Sequence, residues 1–528
     1  AQVLFCCQAL LDSALTMSIS VPVAVGGCLS GAALCFGAGF VTGRKTKARG
    51  KDSKGFGLSR LFVSSPNSRL AWHTPGAAVT GRDDAVVVVD PISTGARLAL
   101  EAHLRGFKLI RVLSVTFDED FLESVLPQEC KGMHFDSTIR FNEKDPAATV
   151  REIQAQPFHV VSVLIGCETG VEAYDAITEK MPGVPTNGTA TSAARRDKYK
   201  MGERVRGAGV RAVRQQECSK WVGEADAYVT SLGVTADPNG AWCVLKPTRS
   251  AGTDGVYVCK CFSEAEENFG KIFGQANIFG DTNQTVLVQE FLKGTEYVVD
   301  SVSVEGEHKC VAIWEYDKRP CNGHQFVYFG MRLFQSADGE KEKALVKYMH
   351  SVLDALNVKH GPSHGEAIWL DSENAPCLVE VGCRPHGGEG TFMEMVTPTL
   401  GYSQVSVMID LVDKPYRFKR LPKRPERFAG GAMEVCLVSR EDGTLAAYPQ
   451  MEKVQNMRSF QSIEVKVPVG GKLEKTINFV TTPGSIMLVH ANRQVVEEDQ
   501  AEIHQMEEDG TFYKLAAGAG GFVRMASL

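Results

Sequence analysis

The hydrophobic pattern first becomes regular with a strand, a helix and a second strand. Residues 86–89 are a continuous valine run, typical of a strand buried on both faces, and residues 109–113 form a second apolar run. Three signals predict a helix between them. Ser93 or Thr94 can cap its start, the leucines at 98, 100 and 104 lie along one side, and Gly106 ends it.

The same pattern recurs, with a strand predicted over residues 160–165 and a helix over 171–177. Strands that alternate with helices predict a parallel sheet covered on both faces, so residues 82–190 are assigned to an α/β domain. Ligands of such sheets bind beyond the carboxyl ends of the strands. The residues expected there are Asp90, Ser93, Thr94, Gly95 and residues 166–170, although turn chemistry explains them equally well.

Further along, the pattern changes to antiparallel β structure. Strands are predicted over residues 287–291, 297–304 and 309–315, with a turn at Gly306. The last hundred residues combine short strands with a closing helix, after a Lys-, Arg- and Pro-rich linker at 414–427.

A glycine-rich hairpin precedes these strands. A strand ending in Lys246 enters a loop with Gly252 and Gly255 and re-enters a strand at Val256. Glycine lets backbone N–H groups surround phosphate oxygens, and a lysine adds a point charge. The chain lacks G-x-x-x-x-G-K-[ST], so the pattern predicts a hairpin flap rather than a P-loop. Lys198 starts a basic helix upstream, and this pattern by itself favours a solvated surface face over a binding role.

Two glutamates are predicted to face each other. Glu366 and Glu380 lie in apolar strands joined by the turn "DSENAP", so the strands should pair as an antiparallel hairpin. Like charges side by side destabilise a sheet unless a cation bridges them. Mg²⁺ takes one or two carboxylates and completes its shell with water and phosphate oxygens. Together with the lysines and the flap, this pair indicates a nucleoside triphosphate site.

Composition excludes some classes of function. With 528 residues the chain should contain three or four domains or subdomains, and 57 basic against 63 acidic residues gives no sign of nucleic-acid binding. The 15 cysteines have no zinc-type spacing and are interpreted as reduced thiols.

Residues 1–81 differ from the rest. Residues 13–43 carry no charge, and residues 44–69 hold eight Lys or Arg against one Asp. Two interpretations remain open: a membrane anchor through residues 17–43, with the catalytic part on a reducing side, or a segment removed on import into a plastid or mitochondrion. Without either, the protein would be cytoplasmic. This segment is expected to be mostly without fold.

The stretches "SAARRDKYKM", "VLKPTRSAGTDGV", "VQEFLKGTEYVVD", "GEAIWL" and "LVEVGCRPHGG" occur in the order found in ATP-grasp carboxylate–amine ligases. The chain resembles this superfamily over residues 84–515 and is most similar to its L-amino-acid (dipeptide) ligase branch. The resemblance implies an α/β (α+β) ATP-grasp fold. Its domains would be an N-terminal parallel α/β domain (82–190), an ATP-grasp domain with β-flap and antiparallel sheet (191–415) and a small α+β C-terminal subdomain (416–528).

The resemblance also implies roles for individual residues. Lys198, Lys246 and Arg384 would contact the phosphates and assist phosphoryl transfer. Glu366 and Glu380 would bind the metal ion. Three features would enclose the nucleotide. A loop that closes over the phosphates would consist of Arg249, Ser250, Gly252, Thr253 and Gly255. The hinge that contacts adenine would consist of Gln289, Glu290, Phe291 and Leu292, and Glu296 would accept a hydrogen bond from the ribose. Many relatives have Asn where this chain has Gly382, which weakens the case for a second, tightly held metal ion.

The implied activity is an ATP-dependent ligase that phosphorylates a carboxylate and couples it to an amine, with Mg²⁺, or Mn²⁺ in its place, as cofactor. The implied partners are small molecules, with amino acids as substrates, and the family suggests a homodimer. The candidate substrate residues are Arg384, Gly387, Gly388, Glu389, His364, His386, Lys318 and Arg332. Of these, His364, His386 and Glu389 could accept the proton of the incoming amine or bind its ammonium group, although His364 would equally fit a polar loop position. The alternatives are a carboxylase-like enzyme and a nucleotide-binding scaffold or membrane-tethered subunit without turnover.

Overall fold

The computed structural model describes residues 62–64, 83–115, 126–250, 252–277, 280–336 and 338–516. The predicted targeting or anchor run at 17–43 lies outside these residues. Within the described ranges, no helix is long and apolar enough to cross a bilayer. One short strand, β1 (Phe62–Ser64), falls inside the segment expected to lack fold, and it pairs antiparallel with a strand near the C-terminus.

The N-terminal domain is the predicted α/β unit. Its strands run parallel in the order β4-β3-β2-β5, as the alternating pattern predicted. Its elements are β2 (Asp84–Val89), α1 (Thr94–Leu104), β3 (Lys108–Leu113), β4 (Ser137–Arg140), α2 (Pro146–Gln154), β5 (His159–Ile165) and α3 (Val171–Lys180).

The predicted details of α1 are partly wrong. Ser93 occupies the N-cap position, but neither it nor Thr94 makes a side-chain cap bond, because both side chains bond a distant loop at residues 386–389. Leu98 is fully buried, whereas Leu104, the last residue of the helix, is 48% exposed.

The flap subdomain follows. Its antiparallel sheet has the order β6-β9-β7-β8, and β7 and β8 form the predicted hairpin. Its elements are α4 (Lys198–Gly207), β6 (Gln215–Cys218), α5 (Asp226–Ser231), β7 (Cys243–Lys246), β8 (Tyr257–Cys259), α6 (Phe262–Ile272) and β9 (Val286–Glu290). The predicted strand at 287–291 therefore belongs to this sheet and not to that of the two strands after it.

The central sheet has nine strands in the order β1-β17-β19-β15-β12-β11-β10-β13-β14. Its first part and the helices beside it comprise β10 (Gly294–Val304), β11 (Glu307–Cys321), β12 (His324–Leu333), α7 (Glu340–Ala355), β13 (Gly361–Leu370), β14 (Ala375–Gly382), α8 (Met393–Leu400) and α9 (Gln404–Asp413). One buried cluster joins this sheet to the N-terminal domain, packing Val87 and Tyr174 with Val299, Met349 and Val381. The N-terminal domain and the central sheet therefore pack directly against each other.

The C-terminal segment continues the central sheet across the predicted boundary at 415/416, because β15 pairs with β12. The segment comprises α10 (Tyr416–Arg420), β15 (Gly431–Cys436), β16 (Gly443–Ala447), α11 (Met451–Gln455), β17 (Phe460–Val465), β18 (Lys472–Leu473), β19 (Gly484–His490), α12 (Arg493–Glu508) and β20 (Lys514–Leu515). The predicted closing helix is α12.

Candidate active site

A cavity lies where the N-terminal domain, the flap and the central sheet meet, and most of the predicted site residues line it. These are Lys198, Lys246, Ser250, Gly252, Thr253, Gln289, Glu290, Phe291, Leu292, Glu296, Lys318, His364, Glu366, Glu380, Arg384, His386, Gly387 and Gly388. From the N-terminal domain, Ser93, Thr94 and residues 166–168 also line it, at the carboxyl ends of β2 and β5.

Glu366 and Glu380 are direct cross-strand partners in the β13–β14 hairpin, as predicted. Lys198 Nζ lies 2.8 Å from a Glu380 carboxylate oxygen and donates to the carbonyl of Ser250 at 2.6 Å. Burial would raise the pKa of Glu366, but a hydrogen bond from His364 and the charge of Lys318 lower it to about 2. Two adjacent carboxylates that already attract a lysine fit the donor set of a divalent cation.

Lys246 ends β7 and is almost fully buried. Burial, together with the like charge of Lys198, lowers its pKa to about 8. The loop after it turns through positive φ at Gly252 and Gly255, where a side chain would be strained, and a Cβ at Gly255 would contact Pro247 at 3.0 Å.

Two of the predicted loop residues lie outside the cavity lining. Arg249 turns to Glu172 on α3, so it ties the loop to the N-terminal domain. Gly255 supports the turn through its conformation.

The predicted adenine hinge follows β9. The Glu290 carboxylate accepts hydrogen bonds from Arg211 and Arg214, and the Gln289 amide donates to Gln215 at 2.9 Å. Because these side chains are engaged within the protein, backbone groups of the hinge are the ones left to contact a ring in the cavity.

Glu296 and Lys318 form an ion pair in the cavity wall, with Lys318 Nζ 2.7 Å from Glu296 Oε2. The other oxygen, Glu296 Oε1, is buried without a hydrogen-bond partner in the described part of the chain. Burial raises the pKa of Glu296 against the pull of Lys318. The predicted ribose acceptor thus has a spare acceptor atom, and Lys318, predicted at the substrate end, holds it in place.

Arg384 is paired with a carboxylate that the sequence identified only as one residue of a turn. Arg384 Nε donates to Glu168 at 2.9 Å, and Arg196 donates to the other oxygen of Glu168 at 2.7 Å. Burial would raise the pKa of Glu168, but Arg196 and Arg384 lower it to about 2. A Cβ at Gly382 would lie 2.9 Å from both Arg384 and Glu168, so glycine at this position leaves room for the ion pair.

Asp300 joins two of the candidate histidines. Its carboxylate is fully buried and accepts from Trp314 at 2.7 Å, from His386 Nδ1 at 2.7 Å and from His364 Nδ1 at 2.9 Å. His364 lies in strand β13 and is 5% exposed, so the polar-loop interpretation of His364 is wrong.

The remaining substrate candidates lie outside the cavity lining. Arg332 pairs with Glu315 on the opposite face of β12 from Met331, which lines the cavity. Glu389 is buried, and its backbone N–H donates to Ser93. Further residues that line this end were not predicted from the sequence: Tyr316, Phe326, Tyr328, Glu434, Cys436 and Phe479. Tyr316, Phe326, Tyr328, Glu434 and Cys436 lie in β11, β12 and β15, whereas Phe479 lies in a turn, and none of them belongs to a recognisable local motif.

Comparison with known proteins supports this description. Residues 240–392 match the model of the ATP-grasp domain. The chain is 28% identical over 441 residues to dapdiamide A synthase from Enterobacter agglomerans, which covers 83% of this chain and 99% of that protein.

Among solved structures, L-amino acid ligase from Bacillus licheniformis superposes with a TM-score of 0.61 at 17% identity, covering 81% of this chain and 98% of that one. The biotin carboxylase domain of Hydrogenobacter thermophilus 2-oxoglutarate carboxylase, solved with MgADP and bicarbonate, gives a TM-score of 0.55 at 12% identity, covering 82% and 90%. These likenesses establish the fold.

Proposed function

The chain carries an ATP-grasp domain within an ATP-grasp fold, and from this premise we propose that it is an ATP-dependent carboxylate–amine ligase. It transfers the γ-phosphoryl group of ATP to a carboxylate and lets an amine displace phosphate from the acyl phosphate, forming an amide bond. The observation that carries the proposal is the facing pair Glu366 and Glu380, with Lys198, Lys246 and Arg384 lining the same cavity.

The nucleotide lies between the flap and the central sheet. The hinge at residues 289–292 contacts the adenine through its backbone, and the Glu296 carboxylate accepts from a ribose hydroxyl. Lys198 and Lys246 contact the phosphates. A moving phosphoryl group spreads charge over its oxygens, so fixed cations and positioning supply most of the catalysis.

Glu366 and Glu380 would hold a divalent cation, Mg²⁺ or, in its place, Mn²⁺, because two carboxylates plus water and phosphate oxygens suit these ions. Such an ion supplies charge neutralisation at the phosphates. His364 donates to Glu366 and fixes the orientation of that carboxylate.

The substrate carboxylate approaches Arg384, whose guanidinium is held by Glu168. The glycines at 387 and 388 let it approach the backbone closely. The flap keeps water away from the acyl phosphate, which would otherwise hydrolyse.

Amino acids are the proposed substrates, because the Bacillus licheniformis protein with the same fold is an L-amino acid ligase. The predicted homodimer, the attachment through residues 17–43 and the cellular compartment remain predictions.

The test is phosphate release from ATP and Mg²⁺ with a panel of amino-acid pairs, followed by mass analysis of the products. We expect release that depends on an amino acid and a product lighter by one water than its two components. The matched control, Glu380→Gln, should be inactive. ADP formation with bicarbonate alone would favour a carboxylase, and no release by the wild type with any pair would favour the scaffold.

A further inference from the structure

Two buried histidines of the cavity share one carboxylate, yet their ring nitrogens are engaged differently. His364 comes from β13, His386 from the loop after β14 and Asp300 from β10, and the two rings lie 4.3 Å apart. Both rings line the cavity.

His364 has no nitrogen left for a substrate. Its Nδ1 is 2.9 Å from Asp300, and its Nε2 is 3.2 Å from Glu366. Both partners are carboxylates, which accept hydrogen bonds, so both ring nitrogens of His364 must donate. This ring therefore cannot accept a proton.

His386 differs in one respect. Its Nδ1 is 2.7 Å from Asp300, so this nitrogen carries the proton, and the second nitrogen, Nε2, keeps its lone pair. No described residue hydrogen-bonds Nε2, and this atom is not sealed from the cavity that the ring lines. A carboxylate that fixes the tautomer of a histidine in this way leaves Nε2 ready to accept a proton.

The ring is also held in one position. It stacks on Phe392 at 4.7 Å with planes 22° apart, and Trp314 meets it edge-on at 5.7 Å. The backbone N–H of His386 donates to Gln404, and its carbonyl accepts from Thr94 at 2.5 Å. Contacts from the N-terminal domain, the central sheet, the N-cap residue of α8 and the first residue of α9 thus fix a side chain two residues after Arg384.

We propose that His386 Nε2 is the general base that accepts a proton from the ammonium group of the incoming amine. This role rests on the proposed ligase function. The freed amine attacks the acyl carbon, a C–N bond forms and the C–O bond to phosphate breaks. The second nitrogen proton leaves with the phosphate, and His386 returns its proton to solvent, so that one acyl phosphate and one ammonium give one amide, one hydrogen phosphate and one proton.

The charges around the ring are consistent with this role. The titratable and charged groups that face it are Asp300, His364 and Arg384. Burial, with the positive charges of His364 and Arg384, lowers the pKa of His386 against the pull of Asp300. The ring is therefore neutral at neutral pH. Glu389, the other candidate base, lies outside the cavity lining.

The test compares two nucleophiles in His386→Gln. Hydroxylamine is largely unprotonated at neutral pH and traps the acyl phosphate as a hydroxamate without a base, whereas an amino acid arrives as an ammonium ion. We expect amide formation to fall about 10²-fold or more in the variant, while hydroxamate formation stays within about tenfold of wild type. His159→Gln, an exposed histidine of the N-terminal sheet, is the control and should leave both rates unchanged.

Parallel loss of both products, or loss of neither, would overturn the role of His386. Failure of the wild type to form either product would overturn the ligase function itself, so the two failures are distinguishable.

A second measurement needs no variant. Over about one pH unit below the pKa of the amine, the wild-type ratio of amide to hydroxamate should stay constant, because a base inside the protein takes the proton. A rise of about tenfold over that unit would show that only free amine reacts and would contradict the proposal.

Discussion

The two ends of the cavity are built in different ways. The nucleotide end consists of short continuous segments, the flap at residues 246–255 and the hinge at 289–292. The substrate end is assembled from Glu168, Asp300, His386 and Glu434, which come from the N-terminal domain, the central sheet, a loop and the C-terminal segment. The nucleotide end therefore leaves a local sequence signal, and the substrate end does not.

The difference also separates two kinds of effect. Substitution of a residue that contacts the phosphates should lower the rate with every carboxylate and amine. Substitution at the substrate end should lower the rate of one step, such as attack by the amine. Substitutions at the two ends should therefore fail in distinguishable ways.

The largest effect is expected where the two ends meet. Glu380→Gln removes one of the two carboxylates proposed to hold the cation, which should cost several kcal/mol of transition-state stabilisation, on the order of 10³-fold in rate. Phosphate release at saturating ATP measures it. Glu373→Gln, at the turn of the same hairpin, should remain active, and similar activity in both variants would show that the pair does not bind the cation.

Arg384→Lys tests the substrate end. Lysine keeps the charge but loses the planar fork that bonds Glu168, so we expect kcat to fall about 10²-fold with a smaller change in the KM for ATP. Steady-state kinetics with each substrate varied gives both values. A change confined to the KM for ATP would place Arg384 at the nucleotide end instead.

The third prediction concerns pH at the nucleotide end. The pKa of Lys246 is lowered to about 8, so the free protein loses this charge as pH rises through that value. The affinity for ATP should then weaken by about tenfold for a one-unit rise above it. Lys246→Arg stays charged and should show no such change. Titration of both proteins with ATP, at pH values below and above about 8, measures the affinity. If the affinity depends on pH equally in both proteins, Lys246 is not the cause of that dependence.

The smallest effect is expected at Glu296. Glu296→Gln keeps an acceptor but removes the charge beside Lys318, so the KM for ATP should rise about fivefold, which corresponds to about 1 kcal/mol. The KM for the amino acids should stay unchanged, and a change there would assign Glu296 to the substrate end.

The sequence predicted those parts of the fold in which neighbours in the chain are neighbours in space. The β2-α1-β3 unit, the β7–β8 hairpin and the facing Glu366 and Glu380 all follow from local pattern and turn chemistry. Strand β9 was assigned to the wrong sheet, because apolar alternation identifies a strand but not its partner.

The same reason explains the errors in the site. Ser93 and Thr94 resemble helix caps, yet a loop almost 300 residues away takes their hydrogen bonds. Arg332 has the residue type of a substrate ligand, but strand alternation turns it away from the cavity. Glu168 could not be recognised from the sequence as the partner of Arg384. Only the structure brings it next to Arg196 and Arg384.

In the proposed reaction, the γ-phosphoryl group passes from ATP to a substrate carboxylate. The test uses the amino-acid pair that supports turnover, with ¹⁸O in the carboxylate that is activated. The released phosphate is then analysed by mass spectrometry. We expect one ¹⁸O atom in each phosphate released with amide product, because the C–O bond of the acyl phosphate breaks. Unlabelled phosphate alongside amide, or label appearing in AMP, would contradict it.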